Sequence, residues 1–84
     1  MTTLLQSETQ IRKVLRDYGR LNLDANEVDI AADLYQCGLT SHASVNVMLG
    51  LEATFDVEFP DHMLKRNVFS SIDSISRAIG ELAA

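Results

Sequence analysis

The sequence predicts an all-α fold: a small four-helix bundle of three main helices and one short one, with a long ordered loop between the first two. Three observations carry this expectation. Apolar residues recur at helical spacing in separate stretches around Ile11, Val47 and Ile75. No stretch alternates apolar and polar residues for long, as a half-buried strand would. Breakers are sparse, with one proline and four glycines in 84 residues. The length fits a single domain spanning residues 1–84. A chain this short buries roughly 60–65% of its unfolded surface, enough for one modest core and too little for a deeply enclosed active site.

Residues 3–20 are expected to form the first helix, with Leu4, Ile11, Val14, Leu15 and Tyr18 at helical spacing and charges between them. Thr2 or Thr3 is placed to cap its start, and Gly19 lies near its end. Residues 21–39 form the long connection. Its Leu23, Val28, Ile30, Leu34, Tyr35 and Leu39 should pin it to the core, through a short helical turn near residues 29–36. A structureless loop of this length would be unusual in a compact domain, so order and a functional role are expected.

The second helix is expected over residues 41–56. At 100° per residue, Val47, Met48, Leu51 and Phe55 share one apolar arc, the expected core face. A second arc holds Val45 and Leu49, flanked by Glu52 and Asp56, with His42, Asn46 and Ala53 beyond. That is wider than a core needs, so part of it should face a partner. Pro60 prevents helical continuation through Val57-Glu58-Phe59. Residues 61–66 can form the short third helix. Ser70 or Ser71 then caps the fourth, whose stripe is Ile72, Ile75, Ile79 and Leu82. The stripes of the second and fourth helices should pack on each other and on Ile11 and Leu15, with Phe55 in the core.

Charge and composition narrow the function. Hydrophobic residues make up 46% of the chain, which argues against disorder. Cys37 is the only cysteine, so no intrachain disulfide can form, and a reducing, cytoplasmic setting is expected. The first twenty residues carry Arg12, Lys13, Arg16 and Arg20 without a long apolar core, so no secretory signal is expected. No run approaches the ~20 apolar residues of a membrane span. Net charge is −5, and no lysine or arginine occurs between Arg20 and Lys65, an interval that holds Asp24, Glu27, Asp29, Asp33, Glu52, Asp56, Glu58 and Asp61. Nucleic acid is disfavoured as a partner because phosphate binding needs a basic footprint. A basic protein partner is favoured.

A metal site is not expected: Cys37, His42 and His62 lack ligand spacing, and a structural zinc takes four ligands. Nor are catalytic residues. Ser41 and His42 are adjacent, and adjacent helical residues point about 100° apart, so they do not form a nucleophile–base pair. Two readings of Ser41 remain. Thr40 or Ser41 simply caps the second helix, or Ser41 is presented there for modification. A helix N-terminus offers free N–H groups and partial positive charge, a favourable field for an attached phosphodiester. Gly38 would let the preceding loop turn tightly, and Thr40 could take over capping. Residue types alone leave both readings open.

The stretch DLYQCGLTSHASV, residues 33–45, resembles the acyl and peptidyl carrier proteins. Their signature is an aspartate–serine–leucine triplet opening the second helix after a glycine–hydrophobic step. The match continues through Val45, Leu51 and Phe55 to FDVEFPD, residues 55–61, with ungapped spacing from Ser41. It covers essentially the whole chain. The resemblance implies that Ser41 receives the 4′-phosphopantetheine arm of coenzyme A from a phosphopantetheinyl transferase. The arm's thiol, and not Cys37, would hold an acyl or aminoacyl group as a thioester, loaded by a ligase or synthase and delivered between partner enzymes. A carrier of this kind is not itself a catalyst and is expected to be a monomer.

Thr40 stands in place of the family's usual aspartate and His42 in place of its leucine. The implied partner face comprises Thr40, His42, Val45, Asn46, Leu49, Glu52, Ala53 and Asp56, a less acidic set than is usual. That points to restricted partners and to an aminoacyl or secondary-metabolite role rather than general fatty-acid synthesis. The competing reading is an unmodified acidic helical adaptor with a carrier-like fold.

Overall fold

In the computed structural model, which describes the backbone of residues 3–83 and the side chains of residues 7–82, helix α1 runs Thr3–Val14. Thr2 and the side chains of Thr3 and Leu4 lie outside the described residues, and with them the expected start cap and first stripe position. Ile11, Val14 and Leu15 are buried. The helical path continues as one π-helical turn, Leu15–Gly19, and stops at Arg20, whose φ of 53° and ψ of 46° are left-handed. The expected end near Gly19 holds, but the last turn is wider. A π turn takes an extra residue to come round, so Tyr18 falls short of the core stripe and is 47% exposed.

The connection from residue 21 to 39 is ordered by hydrogen bonds from side chains read as bare charges. Asp24 caps a 3-10 turn, Ala25–Glu27, by accepting the N–H of Asn26. Asp29 and Asp33 each accept the N–H two residues on, from Ala31 at 2.9 Å and Tyr35 at 3.0 Å, the aspartate turn that a short carboxylate favours. Instead of one helical turn near 29–36, the chain makes successive turns between Ile30 and Gly38. Val28, Leu34 and Leu39 are buried as expected, whereas Leu23 and Ile30 are exposed. Ile30 fastens the loop through its backbone: its carbonyl accepts Asp73 N–H at 2.9 Å, and Leu34 N–H donates to Ser70 O at 2.7 Å. Arg12 ties the same loop to α1, donating through Nη1 to the carbonyls of Ala25 and Val28, both at 2.7 Å.

Helix α2 spans Ser41–Phe55 and buries Ala43, Val47 and Leu51, one turn apart. Phe55, expected in the core, is only partly buried. The core aromatic is Phe59, set edge-on to Phe69 with centroids 5.4 Å apart. The reason lies in how α2 ends. Asp56 turns left-handed at φ 54° and bonds back to Glu52 O, while the Glu52 carboxylate accepts Phe59 N–H at 2.9 Å. The chain is thereby folded back, and Phe59 enters the core in place of Phe55.

Beyond Pro60 the expected short helix at 61–66 is two 3-10 turns, Asp61–Met63 and Arg66–Phe69, interrupted at Leu64 with ψ 62°. Met63 and Phe69 are buried and Leu64 is exposed. Helix α3 spans Ile72–Ala83. Ser71 caps it: Ser74 N–H donates to Ser71 Oγ at 3.0 Å, and Ser71 N–H donates back to Ser74 Oγ at 3.1 Å, a capping box with serine in the usual glutamate place. Ile72, Ile75, Ala78 and Ile79 are buried and Leu82 packs against them. The three helices and both connections feed one contiguous core, and α1 approaches both α2 and α3 closely. Among the described residues there is no strand, no helix long and apolar enough to cross a membrane, and no cluster of metal-ligating side chains.

Candidate functional site

The approach to α2 is built to free a serine. Gly38 has φ +108°, and a Cβ there would lie 2.8–2.9 Å from the Asn22 side chain, so the position needs glycine on both counts. Asn22 N–H donates to Cys37 O at 2.8 Å, which holds the turn in place. Cys37 itself is a free, half-buried thiol. Leu39 then drops into the core, and Thr40, extended at φ −96° and ψ 164°, accepts Ala43 N–H on its Oγ1 at 3.0 Å. Thr40 is therefore the cap. Ser41 is the first helical residue, exposed, and among the described residues its hydroxyl makes no hydrogen bond. Of the two candidate caps, the fold uses Thr40 and leaves the Ser41 hydroxyl exposed.

Two recesses flank Ser41. The larger, about 440 Å³, begins at Ser41 and runs along Ser44, Val45 and Met48 of α2, with Tyr35, Leu64, Lys65, Arg66 and Phe69 opposite. The Arg66 guanidinium lies over the Tyr35 ring, 3.8 Å from its centroid, within reach of a cation–π attraction. The smaller, about 320 Å³, lies on the other side of the helix start and is lined by Gly19, Arg20, Gly38, Thr40, His42, Ala43 and Asn46. Neither lining contains a carboxylate. The long acidic interval thus does not bring negative charge to the serine itself: Asp24, Asp29 and Asp33 are occupied in turns of the loop.

The other expected partner-face residues separate by role. Val45 and Leu49 are 51% and 53% exposed, as the second arc requires. His42, Asn46, Ala53 and Asp56 are also exposed. Glu52 is partly buried and holds the Phe59 N–H, so it is a structural carboxylate before it is a surface charge. Sequence reasoning missed the far wall of the cleft, Tyr35 and Leu64 to Arg66. The signal available was that Arg20 and Lys65 bound the stretch free of basic residues; the fold returns both ends of that stretch to the neighbourhood of Ser41.

Comparison with known proteins gives a consistent result. Residues 10–79 match the family model described as phosphopantetheine attachment site. The chain is 45% identical over 69 residues to the aminoacyl carrier protein of Agrobacterium fabrum, covering 82% of this chain and 83% of that protein. It is 34% identical over 70 residues to aminoacyl carrier protein 1 of Bradyrhizobium diazoefficiens, covering 83% of this chain and 78% of that one. It also superposes with a TM-score of 0.85 and 42% identity on a chain in the crystal structure of an engineered Bradyrhizobium japonicum glycine:[carrier protein] ligase complexed with carrier protein from Agrobacterium tumefaciens and AMP, covering 87% of this chain and 97% of that chain.

Proposed function

Because the chain belongs to the family of phosphopantetheine-binding carrier proteins, we propose that Ser41 bears the 4′-phosphopantetheine arm and that the cargo is an aminoacyl group. The protein is a carrier and not a catalyst. The observation that carries the assignment of Ser41 is its hydroxyl, exposed and unengaged at the first position of α2 because Thr40 has taken the cap. The residues around it fit the group. A phosphodiester on Ser41 would meet the free N–H groups at the start of α2, a placement typically favourable by about 0.3–1 kcal/mol, with no carboxylate in either adjoining recess to oppose it. When bound, the arm supplies the terminal thiol that holds cargo as a thioester.

The aminoacyl reading rests on the two aminoacyl carrier relatives. The loading partner is an amino acid:carrier protein ligase that docks on the face of α2 bearing Val45 and Leu49, with glycine as the first amino acid to test. The unmodified-adaptor reading has no comparable support, since the matching family is defined by its attachment site. We place the protein in the cytoplasm as a single carrier domain over residues 1–84; the contiguous core supports the latter, and the free Cys37 thiol fits the former.

The test is intact mass after incubation with coenzyme A and a broad-specificity phosphopantetheinyl transferase. Wild type should gain one phosphopantetheinyl unit, and Ser41→Ala should stay folded and gain none. The holo protein should then gain one glycyl residue with glycine, ATP and the ligase. Labelling at Cys37, or no labelling with any transferase, refutes the assignment.

A further inference from the structure

The cations that line the two recesses at the start of α2 have no carboxylate partner among the described residues. Elsewhere Arg12, Arg16 and Arg77 pair with Glu8, Asp17 and Asp73. Arg20, Lys65 and Arg66, like Lys13 on α1, pair with no carboxylate among the described residues, in a chain with 12 acidic residues against 7 basic ones. No carboxylate lines either of the two recesses.

Of the three, Arg66 is the one held in place. Its guanidinium is stacked on Tyr35, and both line the cleft that begins at Ser41. Stacking fixes the plane of the guanidinium while leaving its N–H donors free at the edge, and that planar fork matches two oxygens of a phosphate. Behind it the cleft turns apolar, through Val45, Met48, Leu64 and Phe69. Outward from Ser41, the arm presents the same order of chemistry: an anionic phosphodiester, then a branched hydrocarbon segment, then amides. The cleft's volume of about 440 Å³ is in the roughly 300–1,000 Å³ range of small-molecule sites.

We propose that Arg66, braced on Tyr35, is an arm-positioning residue: it pairs with the phosphodiester on Ser41 and lays the proximal half of the arm into the cleft along Val45 and Met48. This rests on Ser41 being the modified residue. Lys65, exposed and in the same lining, adds a second positive charge. The arm then has a docked state on the carrier and a released state for delivery, and salt shifts the balance towards release because the pairing is exposed.

The experiment compares apo and holo protein by amide NMR and by contacts of the arm's geminal methyls, for wild type, Arg66→Gln and Arg66→Lys. Installing the arm on wild type should shift amides at residues 35, 45, 48 and 64–66 as well as 40–43, and the methyls should show contacts to Val45 and Met48. Arg66→Gln should lose the cleft shifts and those contacts while melting like the parent, because Arg66 is exposed. Arg66→Lys, which keeps the charge without the planar fork, should retain part of both. Shifts confined to 40–43 in wild type, or contacts that survive Arg66→Gln, overturn the proposal, and equal loss in both variants overturns the charge pairing. The mass of each sample separates the two levels: no mass gain removes the assignment of Ser41 itself, whereas full modification without cleft shifts removes only the role of Arg66.

Discussion

Arg12→Met is the substitution that best tests how the long loop is held. Arg12 sits on α1 with its side chain 14% exposed, forming an i,i+4 pair with Glu8 at 3.0 Å. On that basis alone it would be worth a few tenths of a kcal/mol. Its Nη1, however, also donates to the carbonyls of Ala25 and Val28, both at 2.7 Å. Hydrogen bonds to a charged group contribute roughly 1.5–3 kcal/mol each. Methionine keeps most of the aliphatic stem and removes all three interactions. Water can reach the freed carbonyls in part, because the loop lies at the surface, so the loss should fall near about 2–4 kcal/mol rather than at the sum. That is a large fraction of the stability of a domain of this size, of order 5–10 kcal/mol.

The control is Arg77→Met. Arg77 pairs with Asp73 at the same spacing and the same 3.0 Å, but its side chain is 77% exposed and no backbone carbonyl is bridged. An exposed pair of this kind contributes about 0–0.5 kcal/mol. Urea unfolding of both variants decides the matter. In thermal unfolding each kcal/mol corresponds to about 4–8 °C for a chain of this length, so Arg12→Met should melt at least about 8 °C lower and Arg77→Met within about 4 °C of the parent. Amide exchange at residues 25–28 should accelerate in Arg12→Met before global unfolding. If the two variants lose the same stability, the loop is not held by Arg12, and the two carbonyl bonds contribute nothing beyond an ordinary helix pair.

Phe59→Ala should cost about 3–5 kcal/mol, and Phe55→Ala less than about 2 kcal/mol because Phe55 is only partly buried; a reversed order in urea unfolding would restore Phe55 to the core. Thr40→Asp keeps a capping oxygen and adds a charge that the helix N-terminus favours by about 0.3–1 kcal/mol, so the apo protein should melt slightly higher; a lower melting point would mean that the cap geometry does not tolerate the carboxylate. Leu49→Ala should raise the dissociation rate from a cognate ligase about tenfold while changing association little, as loss of a buried apolar anchor does; an unchanged dissociation rate removes Leu49 from the docking face.

The helices were legible in the sequence because their information is local. Val47 and Leu51 repeat at one turn, and Ile72, Ile75 and Ile79 do the same, so burial follows from spacing. The cap of α2 was legible only as a choice between Thr40 and Ser41, because both residue types can cap; the fold gives it to Thr40. What escaped depends on contacts between distant positions. Whether Phe55 or Phe59 enters the core is decided by the left-handed turn at Asp56 and by a bond from Phe59 N–H to Glu52, seven residues back. Arg12 reads as a solvated charge until the fold carries the carbonyls of Ala25 and Val28 to it. Arg66 gains a defined position only because Tyr35, far away in the chain, passes beneath it. Val45 of the second arc and Met48 of the first showed one wall of the cleft beside Ser41; the opposite wall has no periodicity to reveal it, since a loop turn at Tyr35, the interruption at Leu64 and Lys65 and one 3-10 turn supply it.

Thr40 links these observations. The carrier family usually places an aspartate there, where a carboxylate would both cap the helix and face the serine. Threonine keeps the first role, with Oγ1 on the Ala43 N–H at 3.0 Å, and abandons the second. An aspartate at 40 would stand in the recess that contains Arg20 and His42, giving Arg20 an intramolecular partner and setting a like charge beside any phosphodiester on Ser41. Like charges a few ångströms apart near a surface repel by several kcal/mol before salt screening. With threonine, the helix start stays capped, Arg20 pairs with no carboxylate among the described residues, and neither recess beside the helix start is lined by a carboxylate. The same exchange changes what a docking enzyme meets. On the proposed assignment of Ser41, a partner that reads a carboxylate next to that serine would find a hydroxyl, and its grip would come from Val45 and Leu49, exposed apolar side chains of α2. On the same proposal, discrimination among partners would rest on shape and apolar contact at α2, while the cations lining the two recesses are opposite in sign to the net charge of the chain.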